Sequence, residues 1–134
     1  LFEEFIMAVQ AQYASTPRTA QAQVTTANTN RNGTGTIATV FTGAANGSRI
    51  DDIYIVATGT TTAGVVRLFL NDGTNTYLWK EILVPAVTPS TTVAVFSAAL
   101  IEQALILQST SWSLRASTNN AETFNIQVTR AGDF

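Results

Sequence analysis

Arg49-Ile50-Asp51-Asp52-Ile53-Tyr54-Ile55-Val56-Ala57, then Gly64-Val65-Val66-Arg67-Leu68-Phe69-Leu70, then Thr76-Tyr77-Leu78-Trp79-Lys80-Glu81-Ile82-Leu83-Val84 follow one another along residues 49–84. Each run is dense in β-branched and aromatic side chains, and clusters of Gly, Asn, Asp and Thr fence it. This is the pattern of three consecutive antiparallel strands, a β-meander. Side chains alternate along a strand, so Asp51 and Asp52 are expected to point to opposite faces, which argues against a carboxylate pair. In the second run Val66, Leu68 and Leu70 share one side, and Val65, Arg67 and Phe69 the other. Apolar residues on both sides imply two buried faces: one against an opposing sheet, the other expected against another subunit.

Outward from this stretch, Ala22–Thr26, Thr36–Thr42, Thr91–Phe96 and Phe124–Thr129 read as further strands, and Leu105–Gln108 with Ser111–Ser117 as one more, bent or broken near Ser109-Thr110. Asn32-Gly33 and Asn46-Gly47 mark positions of positive φ and hence tight turns. Their match to the glycosylation sequon is the coincidence expected of an Asn/Gly/Thr-rich chain. Ser97–Ala104 lacks Gly and Pro and is the one place where a helical turn is expected. About eight short strands at regular spacing give an all-β, two-sheet antiparallel sandwich, jelly-roll-like, with an immunoglobulin-like sandwich as the alternative. The domain is expected over residues 22–134, preceded by a leader and extended arm over residues 1–21, where Pro17 interrupts any helix. Within that arm, Met7 followed by Ala8 reads as the biological start, and Glu3-Glu4 could be encoded by a purine-rich ribosome-binding run; an intact native mass that includes Leu1–Ile6 would refute this.

A chain of 134 residues buries roughly two-thirds of its unfolded surface and can be stable without crosslinks. It has no cysteine and no histidine. Thiol chemistry, zinc–thiolate sites and the usual acid–base catalyst near neutral pH are therefore absent. Charged residues make up 12% and the net charge is −2, with the basic residues scattered singly. Nucleic-acid binding needs clustered cations and is not expected. No apolar run approaches the ~18 residues that span a bilayer, so no membrane partner is expected.

Candidate chemistry is thin. Asn71-Asp72-Gly73-Thr74-Asn75 gathers oxygens in a tight turn, but one carboxylate is few for calcium, and a hairpin loop explains it better. Arg67 and Arg115 lie within apolar strands and are expected to pair with a carboxylate across a sheet or subunit boundary, Asp52 or Glu122 being available. Trp79 and Trp112 are expected in the core or an interface rather than as a sugar platform. Serines and threonines lack an activating base, and no two acids sit in a hydrolase motif. No enzyme activity, cofactor or metal is expected.

Asn32-Gly33-Thr34-Gly35-Thr36, Gly47-Ser48-Arg49-Ile50-Asp51, the stretch from Ala57 to Gly64 with Val66-Arg67-Leu68-Phe69, Leu114-Arg115-Ala116-Ser117-Thr118, Ala121-Glu122-Thr123-Phe124-Asn125 and Gly132-Asp133-Phe134 carry a resemblance. Through them the chain resembles small virion proteins of tailed bacteriophages, over most of residues 28–134. The segment Leu107–Trp112 departs from the Pro/Gly turn of that pattern. The resemblance implies a β-rich, homo-oligomeric, non-enzymatic structural protein, with capsid decoration (cement) as the leading role. A homotrimer on the capsid surface, partnered by the major capsid protein and assembled in the bacterial host cytoplasm, follows as the expectation. Phe69, Tyr77, Trp79, Arg67, Arg115 and Trp112 are the expected subunit or partner interface. The competing role is a head-spike or tail appendage module that binds a host receptor or glycan, for which Trp79, Trp112, Tyr54 and Tyr77 would stack.

Overall fold

The structure is a computed structural model that describes residues 14–134. The expectation for Met7 and the leader lies outside those residues. Ten strand segments follow in chain order: β1 (Thr16–Pro17), β2 (Ala20–Val24), β3 (Ala38–Thr42), β4 (Ser48–Ala57), β5 (Gly64–Asn71), β6 (Thr76–Val84), β7 (Ser97–Leu100), β8 (Leu105–Leu107), β9 (Ser113–Thr118) and β10 (Phe124–Asp133). The segments β1 and β2 both run along β10, and β7 and β8 both run along β4, so the ten fill eight positions. One sheet runs β1/β2–β10–β4–β7/β8 and the other β3–β9–β5–β6, all antiparallel. Counting positions from the N-terminus, the orders are 1-8-3-6 and 2-7-4-5, the jelly-roll arrangement of two interlocked Greek keys. An immunoglobulin-like order would not pair the first position with the last.

The expected meander is corrected by this order. Only β5 and β6 form a hairpin; β4 belongs to the other sheet, and the chain crosses between sheets before β5. Two further expectations also change. Thr91–Phe96 is a loop, and the strand begins at Ser97 instead. Ser97–Leu100 pairs with Val56–Ile53 of β4 rather than coiling. Just beyond it, Glu102 and Ala104 take φ of 55° and 49°, values that a right-handed helix cannot contain. The two Asn-Gly turns behave as expected, with φ of 84° at Gly33 and 94° at Gly47.

Between the sheets, Ile50, Ile53, Ile55, Phe124, Ile126 and Val128 meet Val40, Phe41, Val66, Leu68, Leu114 and Ala116. Ile50 and Ile53 are both fully buried in this core although they are three residues apart. Strict alternation forbids that, so the strand must carry an extra residue. The β4–β10 register does shift opposite Asp52, around Val128, Arg130 and Ala131.

The opposite side of β5 is also closed. Val65, Arg67 and Phe69 are 8, 2 and 0% exposed, and Val65 and Phe69 stand outside the inter-sheet cluster. The chain's own 25–37 loop packs on this side of the sheet, against Arg67 and β6. Arg67 Nη1 donates to the Asn28 carbonyl at 3.0 Å, Arg31 reaches Glu81 at 2.6 Å, and Gly33 rests on Thr76 of β6. Asn28 anchors the loop: its N–H donates to the Thr118 carbonyl at 2.8 Å, its amide donates to the Thr34 and Thr36 carbonyls, and its Oδ1 accepts from the Asn30 N–H. The second buried face of β5 therefore needs no second subunit, which corrects that expectation.

A second staple closes the N-terminal end. Arg18 donates to Asp133 at 3.0–3.1 Å and to the Thr42 carbonyl at 2.6 Å, and its guanidinium stacks 3.8 Å above the Phe41 ring. Ser48 Oγ donates to the same carboxylate at 2.6 Å. Arg18 foremost, with Ser48, holds the Asp133 carboxyl below its ordinary value of 3.8. A depressed folded-state pKa contributes stability that is fully present above the unfolded value and lost as pH falls through the folded one. Arg18→Ala is accordingly expected to cost about 1.5 kcal/mol at neutral pH, a value tempered by the pair's partial exposure. Its deficit against the unsubstituted chain should shrink as urea midpoints are measured from about pH 5 down to 2. A deficit that stays constant over that range would refute the assignment.

Candidate functional site

Among the described residues, Asp51, Asp52, Glu81 and Asp133 are held in ion pairs, and Asp72 and Glu122 accept hydrogen bonds from their surrounding loops. At the β4 bulge Asp51 and Asp52 turn to one guanidinium: Arg130 lies 2.9 Å from Asp52 and 3.9 Å from Asp51. Arg49 also pairs with Asp51 at 2.9 Å. The expectation of opposite faces is thus corrected, because the extra residue breaks the alternation. Arg130 first, and then the Glu102 N–H, lower the Asp52 pKa, which favours its charged form beside the guanidinium.

In the 71–75 hairpin loop the oxygens are spent on the turn itself. Asp72 Oδ1 accepts from the Asn75 N–H at 2.7 Å and the Thr74 N–H at 2.9 Å, and these bonds, Asn75 foremost, lower its pKa. Asn71 Oδ1 accepts from the Gly73 N–H at 2.8 Å. Among the described residues no group of three His, Cys, Asp or Glu side chains could hold a metal ion, and no helix is long and apolar enough to cross a membrane.

The six residues expected at an interface separate into three environments. Phe69 and Arg67 are buried within the chain itself, Arg67 being bonded to the 25–37 loop. Arg67 pairs with Glu81 at 2.9 Å and donates to Asn119 Oδ1 at 3.1 Å. Its carboxylate is therefore neither Asp52 nor Glu122; the latter accepts from the Thr62 N–H and hydroxyl. Arg115, opposite Phe69 on β9, is half-buried and donates to Ser113 Oγ at 2.9 Å. Trp79 and Trp112 are half-buried against the core. Only Tyr77 is open, at 54% exposed.

Of the seven large apolar residues that stay exposed among those described, three lie together on β6, while Tyr54, Val93, Ile101 and Ile106 are spread over β4, β8 and the loops. Leu83 is 78% exposed, and Tyr77 and Leu78 are also open. Leu83 and Leu78 sit opposite Val65 and Phe69 and so share the outer face of that sheet, a bulge at Trp79 having shifted the register between them. This strand is a sheet edge. Lys80 and the bulge are features that blunt an edge against backbone pairing, which leaves side-chain contact as the mode of association available to it. The sequence reading named Tyr77 for the interface but not the likewise open Leu78 and Leu83, because the bulge hides which residues share a face.

No family model matches the chain, and no curated protein matches its sequence. One similar solved structure is a phage protein. It is a pentameric capsid protein isolated from metagenomic phage sequences, 15% identical, with a TM-score of 0.44 over 99% of this chain and 74% of that one.

Proposed function

We propose that this chain is a non-enzymatic structural protein of a bacteriophage particle, a decoration protein that binds and stabilises the major capsid shell as a homo-oligomer, in the trimeric form expected from its sequence. The observation that carries the reading is the apolar edge of β6, where Tyr77, Leu78 and Leu83 stand open on one edge strand and Leu83 is the most exposed large apolar residue among those described. Such residues on a rigid sheet suit anchoring contacts, with the Thr- and Asn-rich surroundings as the hydrogen-bonding rim. The short motifs shared with tailed-phage virion proteins support the same role.

Sedimentation of the isolated chain and its copy number in purified virions test the proposal. An oligomer, and a copy number in fixed proportion to the major capsid protein, are expected. Leu83→Glu, at a position too open to disturb folding, should weaken association and capsid retention at least tenfold. A chain that stays monomeric at all concentrations, or that is present only in proportion to tail fibres, would refute it.

A further inference from the structure

The outer face of the other sheet carries a different chemistry. Register places two rungs across four strands there. Gln21 of β2, Gln127 of β10, Tyr54 of β4 and Ala99 of β7 form one, and Gln23, Asn125, Val56 and Ser97 the next. The four carboxamides line an open groove of about 340 Å³, within the size range of small-ligand sites. Gln23 Nε2 donates to Asn125 Oδ1 at 2.9 Å, while the Gln21 and Gln127 amides bond to no other described side chain and stand available.

We infer that this groove binds a neutral, hydroxyl-rich glycan, with Gln21, Gln23, Asn125 and Gln127 as the polar contacts and Tyr54 as the stacking surface. Each carboxamide offers two donors and an acceptor without charge, which matches hydroxyls that both donate and accept. Among the described residues no lysine, arginine or carboxylate lines the groove, so they offer a phosphate chain no counter-charge and a cation no ligand. Beside Gln127, Tyr54 is 39% exposed, and its neighbour on the far side is the small Ala99, which leaves the ring uncovered. A flat aromatic next to neutral amides contacts the apolar face and the hydroxyl rim of a pyranose together. The Arg130–Asp52 pair closes one end of the face, with its charges already neutralised.

Affinity electrophoresis in dextran, mannan and arabinogalactan, with dextran sulfate as the charged control, tests this. Side-chain amide signals of the four residues are followed by NMR with oligosaccharides of the polymer that retards the chain. Retardation by a neutral polymer, movement of those amide signals, and losses of about tenfold in Gln127→Ala and in Tyr54→Ala at unchanged urea midpoints are expected. Leu83→Glu should leave this binding intact, which separates it from the capsid proposal. Retardation by none of the neutral polymers, by dextran sulfate alone, or equally in the variants would overturn the inference. So would amide signals that shift with protein concentration instead, since a second copy would then occupy the face.

Discussion

Arg67→Met is expected to lower the stability of the folded chain by about 3 kcal/mol, a large share of the total for a domain of this size. The methionine replaces much of the volume, so the loss is electrostatic rather than a cavity. Arg67 satisfies three groups from three places: Glu81 on β6, the Asn28 carbonyl in the 25–37 loop, and Asn119 Oδ1 after β9. Glu81 suffers least from its removal, because it keeps Arg31 and partial access to water. The Asn28 carbonyl loses a charged donor in a buried setting and the Asn119 amide in a half-buried one, and an unsatisfied buried group costs roughly 1–3 kcal/mol. Arg67→Lys keeps the charge, but a single ammonium cannot span three acceptors in a plane, so it should recover only part of the loss. Urea denaturation gives the magnitude, and amide exchange gives the place. Protection should fall first at the Asn28 N–H, which is bonded to Thr118. A variant within 0.5 kcal/mol of the unsubstituted chain, or one that loses protection uniformly, would show that this arginine does not clamp the loop.

The strands of residues 49–84 were legible because their β-branched and aromatic density does not depend on where they pair. Their sheets were not legible. Ile55 lies opposite Ile126, and nothing local to either residue encodes that distant partner, whereas the β5–β6 hairpin closes through the short turn between Asn71 and Thr76, whose chemistry is visible. Bulges escape for a related reason. Counting alternate residues assumes an ideal pleat, and the available sign of a break was that Ile50 and Ile53, both strong core residues, have an odd separation. Ser97–Leu100 shows tertiary contact overriding local preference: its alanines and leucine favour a helix in isolation, but Leu100 gains a place opposite Ile53 in the core-facing row. The candidate surface was legible in kind, since apolar residues on both faces of β5 and β6 were plain. Which of them the chain covers itself was not, because Asn28 and Gly35 look like ordinary turn residues. Gly35, at φ 85°, has Asn28's amide where a Cβ would stand, and that contact lets the loop fold back over β5.

Phe69→Ala separates the two accounts of that face most sharply. If the 25–37 loop is the native cover, Phe69 is a core residue with no exposed surface, and its truncation should cost about 3 to 5 kcal/mol as lost burial plus the cavity left behind. The loss belongs to the protomer, so the shift in urea midpoint should be the same at high and low protein concentration. Leu83→Ala, on the same face but open, should leave the protomer within about 1 kcal/mol and act on association. The pair of variants therefore assigns two neighbouring apolar residues to two processes, folding and assembly. If instead Phe69→Ala leaves the midpoint nearly unchanged and abolishes association, the loop does not cover β5 in solution and the face belongs to a partner. Arg67 would then be buried only in the assembly, and its three acceptors would be satisfied on binding. The concentration dependence of one midpoint decides between a self-covered sheet that associates through its edge and an open sheet that associates through its face.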